Sequence, residues 1–314
     1  MKRLIIEVVK KILQYINLPV GKGISKDALE GQIASDILYN LIISGKPCFV
    51  ARFGWTEIDA VIAYTRNVEK NVKYGKLIKY MISNYVDNQN LLKTMSGFFS
   101  NDIENIHKFC KSQIDIMPEI DIHANWMKQE LFIEKYLQNS IKISVDSLFN
   151  PTIKHSWTQA LANKKVLIIN PFEKSIIYQY NNRALLFENK EFLPKFDLII
   201  YKPIQVLNNK ETKFQTWWQA LDFMKNEIDL IDFDIALLSC GAFGHPLCAH
   251  IKKTGKQAIY MGSNLQLMFG IYGDRWLKEK TIENNINEYW IRPFKEDLPK
   301  NNNSNSYTAL KNYI

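Results

Sequence analysis

Cysteine is scarce. Four occur in 314 residues, Cys48, Cys110, Cys240 and Cys248. No two have C-x-x-C spacing and each stands in an apolar stretch, which predicts reduced, buried thiols of a cytosolic protein. No zinc motif is present: His245 and His250 are five residues apart, not the four that set two ligands on one helix face. The G-x-x-x-x-G-K-[ST] run of a P-loop is absent, which counts against an ATPase. No stretch approaches the roughly 20 apolar residues of a membrane span. The basic start Met1-Lys2-Arg3 does not lead into a signal peptide, because Glu7, Lys10 and Lys11 interrupt the apolar run. The net charge of +8 is scattered, with no run of five or more lysines, so a nucleic-acid tail is not indicated and nucleic acid is not an expected partner.

What is present is the balance of a globular protein with a core, 46% hydrophobic and 23% charged residues. The basic surplus favours anionic partners such as phosphate-bearing small molecules or anionic lipid. Residues 3–16 form an amphipathic helix pattern, with Leu4, Ile5, Val8, Val9, Ile12, Leu13 and Ile16 on one stripe. That helix either packs on the domain or lies on an anionic membrane surface. A second helix pattern covers 27–44. The expected organisation is therefore N-terminal helices over 1–45, one domain over 46–298, and a polar tail over 299–314.

Within the domain, Pro47 to Phe53 is a short apolar strand pattern closed by Gly54. A helix begins there with Thr56 and Asp59 in capping-box spacing. Helical periodicity dominates 73–86, 89–96, 101–112 and 127–138, with a short strand over 121–125. From 141 the pattern changes. The run over 165–170 is apolar without alternation, the mark of a strand buried on both faces, and further strands are expected over 197–201, 234–238 and 257–261. They alternate with helices over 172–180, 214–229 and 246–254. The fold class expected is α/β: a Rossmann-like, mostly parallel sheet flanked by helices, with a helix-rich N-terminal half.

Three constellations carry chemistry. The first is the turn Ser239-Cys240-Gly241-Ala242-Phe243-Gly244-His245-Pro246 between a strand and a helix. Glycine allows close backbone approach, and free N–H groups at a helix start favour phosphate, so Gly241, Ala242, Phe243, Gly244 and His245 are candidate contacts for a diphosphate; the alternative is a tight turn with no ligand. The second is Gly262-Ser263-Asn264-Leu265-Gln266 with Arg275. Ser263, Asn264 and Gln266 suit a ribose, base or sugar, and the Arg275 fork suits phosphate, or else a surface carboxylate. The third is Arg52-Phe53-Gly54-Trp55-Thr56-Glu57. Arg52 is placed for phosphate, and Glu57 for a metal or a base role; the alternative is that Glu57 complements the helix dipole and pairs with Arg52. Asp121, His123 and Glu130 flank Trp126 and are acceptor-site candidates. His250 is expected to be a core or structural residue, and the pair Trp217-Trp218 is expected in the core.

Taken together, Ser239 to Leu247, Gly255-Lys256-Gln257-Ala258-Ile259 and Gln266 to Trp276 resemble the C-terminal signature of bacterial glycosyltransferases of the GT-D fold. Ala51-Arg52-Phe53-Gly54-Trp55-Thr56-Glu57 is similar to their N-terminal Arg-Phe-Gly-Asp-Gly-Glu motif. The resemblance spans about residues 46–276. It implies a nucleoside-diphosphate-sugar donor, a glycan, glycolipid or glycoprotein acceptor, and a role in surface polysaccharide or glycoprotein biosynthesis. It also implies a cytoplasmic enzyme, with peripheral membrane contact through residues 1–16 as a further reading, and a divalent metal, Mn²⁺ or Mg²⁺, on an Asp-x-Glu motif. Carried over, Glu57 matches the motif's Glu as metal ligand, Arg52 its Arg, and Gly241 and Gly244 the nucleotide-side glycines. The motif's Asp is replaced by Trp55, which offers no oxygen to a cation. Either Glu57 holds the metal with diphosphate and water, or Arg52, Arg275 and the helix dipole stabilise the leaving diphosphate. Loss of the Asp also admits a second class: a nucleotide-sugar-binding protein that keeps the fold and no longer turns over.

Overall fold

A computed structural model describes residues 21–68, Leu92, 95–99, 102–205 and 212–298. The pattern over 3–16, the helix expected over 73–86, most of 89–96 and the tail over 299–314 lie outside the described residues. The first half of the described chain holds helix α1 (Gly31–Ile43), strand β1 (Cys48–Ala51), α2 (Trp55–Val68), α3 (Ile103–Ile116), β2 (Ile122–Asn125), a 3-10 helix (Lys128–Tyr136) and β3 (Ile141–Ser144). The second half alternates more regularly: β4 (Lys165–Ile169), α4 (Glu173–Asn181), β5 (Asp197–Tyr201), α5 (Trp217–Asp229), β6 (Ile235–Leu238), α6 (Gly244–Lys253), β7 (Gln257–Tyr260) and α7 (Asn264–Met268).

The strands form one sheet in the order β3-β2-β1-β7-β6-β4-β5. Every pairing is parallel, so the fold is α/β and Rossmann-like. Alternate residues of each strand enter different cores, as the two-residue period of a strand requires. Phe49, Ala51, Leu167, Ile169, Ala236, Leu238, Ala258 and Tyr260 pack under α2, α3, α5 and α6. Val50, Ile122, Ala124, Ile143, Val166, Ile168, Ile235, Leu237 and Ile259 pack under α1, α4 and α7. Burial on both faces is why the central strands read as unbroken apolar runs.

Residues 21–45 are not set apart from this body. Ala34, Leu38 and Ile42 of α1 share a core with Val50, Ile122 and Ile143. The segment before α1 lies along the sheet edge, bridging Lys22 to Met127 and Leu29 to Ile143. The α-helix expected over 127–138 is instead wound as a 3-10 helix. Its Glu130 turns inward, and its Oε1 accepts from the N–H of Met127 at 3.1 Å. Strand β3 was not expected; its Ile-Lys-Ile-Ser sequence is half exposed and lacks the apolar run of the inner strands.

Register aligns the strand ends that matter. Ala51 pairs with Tyr260, Tyr260 with Leu238, and Leu238 with Ile169. The residues that follow, Arg52, Met261, Ser239 and Asn170, therefore leave the sheet along one edge. A parallel sheet binds ligands at that edge.

Candidate functional site

The carboxyl edge opens into a cleft of about 1580 Å³. Its walls bring together Arg52 and Glu57 after β1, Gly241 and Phe243 after β6, and Gly262, Ser263, Asn264, Gln266 and Arg275 after β7. All three sequence constellations thus reach one space. Ala242, Gly244 and His245 do not line it. They are buried beneath, so of the expected cradle over 239–246 Ser239, Cys240, Gly241 and Phe243 reach the cleft.

Packing explains the burial. A Cβ on Gly244 would lie 2.1 Å from Cε2 of Tyr260, so the ring of Tyr260 fills the space above the first turn of α6. The Tyr260 hydroxyl donates to the Gly241 carbonyl at 3.2 Å. Phe243 stacks on Trp217, centroids 4.8 Å apart and planes 12° from parallel. Gly241 has φ +57°, and a Cβ there would meet the Ser96 carbonyl oxygen at 2.3 Å. These glycines accommodate other parts of the protein.

His245 is 5% exposed and holds the floor of the site in place. Its Nε2–H donates to the Arg52 carbonyl at 2.8 Å, and Nδ1 faces the Gln113 side-chain amide at 3.0 Å. Burial pulls its pKa down to about 4, which keeps the ring neutral. As placed, Gln113 Oε1 faces Nδ1; a neutral ring that donates through Nε2 must accept at Nδ1, which assigns the Gln113 amide the turned orientation with its nitrogen as donor. That orientation also satisfies a Gln113 nitrogen otherwise left buried and unpaired. Through these bonds α6 and α3 fix the backbone of Arg52.

The Arg52 side chain is equally placed. Its Nη2 donates to the Phe53 carbonyl at 2.7 Å. Its guanidinium lies over the Trp126 ring, 4.7 Å from the centroid. Nη1 is packed on Gly262, where a Cβ would lie 2.4 Å away and where φ is +55°. Gly262 is thus required by the close approach of a cation. The Nε of Arg52 is buried without a hydrogen-bond partner, and Arg52 lines the cleft.

Glu57 sits three residues into the turn. Its carboxylate folds back on Gly54, where a Cβ would stand 2.1 Å from Oε2. Oε2 accepts from the Thr56 hydroxyl at 2.7 Å. The Thr56 hydroxyl in turn meets that of Ser96. Since Thr56 donates to Glu57, Ser96 donates to Thr56, and a hydroxyl relay runs from Ser96 to the carboxylate. Arg52 takes the Phe53 carbonyl and packs on Trp126; the expected pairing of Arg52 with Glu57 is not among these contacts.

The acceptor-site candidates separate. Asp121 anchors the opposite edge of the sheet: Oδ2 accepts from the Phe49 N–H at 2.7 Å and pairs with Lys252 at 2.8 Å. His123 and Glu130 are buried together, Nε2 to Oε2 2.5 Å, with the Asn125 amide donating to the same oxygen at 2.8 Å. They line a smaller cavity of about 310 Å³ under residues 23–26. Trp126, which they flank, reaches the main cleft, and its Nε1–H donates to the Phe53 carbonyl at 2.8 Å. His250 pairs with Asp229 at 2.8 Å on the outer side of α6. Trp217 is fully buried, as expected, whereas Trp218 is only partly buried, donates to Asn105 at 3.1 Å and carries Lys108 over its ring.

The four cysteines are free. Burial pushes the thiols of Cys48 and Cys110 up to about 12, and those of Cys240 and Cys248 up as well. Cys240 lines the cleft but is held as a thiol, not a nucleophilic thiolate.

No family model, curated protein or solved structure matches this chain. The site is accordingly read from its own chemistry. Sequence reasoning missed Ser96, Asp146, Ser147 and Asn170, all on the cleft wall. Asp146 and Ser147 follow the unrecognised strand β3, and Ser96 has no local motif. Among the described residues no group of three or more His, Cys, Asp or Glu is placed to hold a metal ion. With Trp55 beside it and its Oε2 engaged by Thr56, Glu57 does not make a chelating set, so the residues present do not fit a resident divalent cation. Nor is any described helix long and apolar enough to cross a membrane.

Proposed function

We propose that the protein is a glycosyltransferase that moves a hexosyl group from a nucleoside-diphosphate sugar to a hydroxyl of a glycan, glycolipid or glycoprotein, in surface polysaccharide or glycoprotein assembly at the cytoplasmic side of the membrane. The reading rests on one observation. The strand order β1-β7-β6 sets the Arg52–Glu57 turn, the Gly262–Gln266 turn and the Ser239–Gly241 turn side by side on a single cleft. At about 1580 Å³ that cleft exceeds the roughly 300–1,000 Å³ of a pocket for one small ligand, which leaves room for donor and acceptor together.

In this reading the nucleoside and sugar lie against Ser263, Asn264 and Gln266. The diphosphate lies between Ser239–Gly241 and Arg52, whose buried Nε is oriented by Trp126 and Gly262. Glu57 accepts the proton of the acceptor hydroxyl. The freed oxygen forms a bond to the anomeric carbon as the carbon–oxygen bond to the diphosphate breaks. Arg52 and Arg275 neutralise the charge on the departing diphosphate; Arg275 lines the cleft with its guanidinium 4.3 Å from the Trp276 ring centroid. No step passes through a metal. The resemblance to GT-D glycosyltransferases supports this assignment of roles.

Trp55 in the place of the motif's Asp favours a second reading, a nucleotide-sugar-binding protein without turnover. One experiment addresses both. Purified protein is melted with UDP-, GDP-, CDP- and ADP-sugars, each with and without Mn²⁺, and the same mixtures are assayed for slow donor hydrolysis. A midpoint raised by one nucleotide class, through mass action on the native state, with hydrolysis, supports the transferase. A shift without hydrolysis supports the binding protein, and no shift with any donor rejects both.

A further inference from the structure

We infer that the β1–β3 end of the cleft is a subsite for an uncharged sugar ring, with Trp55 and Trp126 as its stacking platform. Calling that sugar the acceptor rests on the transferase reading; calling it a sugar does not. Trp55 opens α2 and Trp126 follows β2. Both line the cleft half-buried, with centroids 6.2 Å apart and planes inclined by 60°. Trp126 is immobilised by its bond to the Phe53 carbonyl and by Arg52 on its face. A pyranose presents an apolar C–H face and a rim of hydroxyls, and an aromatic wall buries the first while leaving the rim for polar partners.

Those partners stand beyond the platform, after β3. Asp146 and Ser147 line the cleft there, joined by Glu30 and Glu279. The Ser147 hydroxyl is 4% exposed by residue and has no hydrogen-bond partner. Lys22 pairs with Glu279 at 2.7 Å, so the carboxyls of Glu30 and Asp146 are the acidic groups left over at this end. Burial, then the nearby charges of Glu279 and Glu30, raise the Asp146 carboxyl above its ordinary range. Carboxylates accept hydrogen bonds from sugar hydroxyls and repel phosphate or uronate. The cleft is therefore sorted by charge: Arg52 and Arg275 face the phosphate-bearing substrate, and the far end selects a ring without negative charge.

The test uses the full chain and titrates lactose, maltose, chitobiose and a uronic-acid disaccharide against tryptophan emission, with donor melting shifts measured in parallel. At least one neutral disaccharide is expected to change the emission saturably. Trp55→Ala should weaken that binding about tenfold while the donor shift stays as in wild type. Asp146→Asn should retain neutral-sugar binding and strengthen uronate binding several-fold. Absence of saturable binding by every neutral sugar overturns the inference, as does unchanged affinity in Trp55→Ala. Loss of the donor shift in Trp55→Ala also overturns it, by assigning the platform to the nucleobase. Sugar binding through Trp55 in a protein that no nucleotide-sugar stabilises would uphold the subsite and reject the transferase reading.

Discussion

Helices α2 and α6 both start at the carboxyl edge of the sheet, with Gly54 immediately before the first and Gly244 opening the second. A helix start at this edge is where a phosphate is favoured, although at α6 the Gly244 N–H is already bonded to the Gly241 carbonyl. The protein fills the two places differently. Over Gly54, at the start of α2, lies the Glu57 carboxylate; over Gly244, at the start of α6, lies the Tyr260 ring. The first filling is an anion on a flexible arm that faces the cleft. The second is an apolar plug belonging to the core. A glycine at a strand–helix turn thus has two explanations, close approach of a ligand or close approach of the protein, and only the neighbour decides between them.

The largest effect expected from this contrast is at Glu57. Glu57→Gln keeps an oxygen to accept from Thr56 but cannot take a proton. Transfer should fall by roughly 10²–10⁴-fold, the usual contribution of a general base, with the melting midpoint unchanged. Unaltered turnover would remove Glu57 from the chemistry and leave it as a helix-terminal carboxylate only.

On the α6 side the expected effect is on stability, and it depends on pH. The folded state holds His245 neutral with a pKa of about 4, against 6.5 for an ordinary histidine. The unfolded chain therefore binds the proton first as pH falls. Stability from this residue is intact above about pH 6.5 and is lost progressively toward pH 4, in all by about 3 kcal/mol. Urea unfolding at pH 7 and pH 4.5 should show wild type losing about 2–3 kcal/mol more than His245→Gln over that interval. Equal losses would mean that the ring is protonated in the fold.

How far the sequence discloses these arrangements depends on where the partners lie. Strand β5 is a partly exposed edge strand whose sequence is nonetheless apolar, whereas β4, β6 and β7 are legible because burial on both faces leaves an unbroken apolar run. The turn after β6 is legible as a strand–turn–helix junction for the same reason. Its contents are not. Nothing near Gly241 announces the Ser96 carbonyl, nothing near Gly244 announces Tyr260, and nothing near His245 announces Gln113 and the Arg52 carbonyl. Those contacts join elements far apart in sequence, and a local pattern carries no trace of them. Asp146 and Ser147 are hidden for a different reason. They follow β3, an edge strand whose Ile-Lys-Ile-Ser sequence alternates too briefly to stand out. Arg52 and Glu57 were singled out by residue type, while the pairing first allowed between them gives way to two separate attachments, to Trp126 and to Thr56.

The comparison of the two glycines can be made directly, with the smallest expected changes in energy. A methyl group at residue 54 meets the end of a flexible side chain, so Gly54→Ala should cost about 1 kcal/mol, the ordinary difference between glycine and alanine at a helix start. It should nonetheless depress transfer, because Glu57 is the group that must move. A methyl group at residue 244 meets Tyr260, a ring 4% exposed and tied to the Gly241 carbonyl. The ring has nowhere to go, so Gly244→Ala should cost about 1–3 kcal/mol, the range for an overpacked core. Transfer per folded molecule should survive in that variant, because the start of α6 is sealed from the cleft. The measurement pairs thermal midpoints with turnover normalised to folded protein. Should Gly244→Ala instead melt like wild type and lose donor affinity, the first turn of α6 would be open to ligand, and the phosphate site would extend over the whole of 239–246.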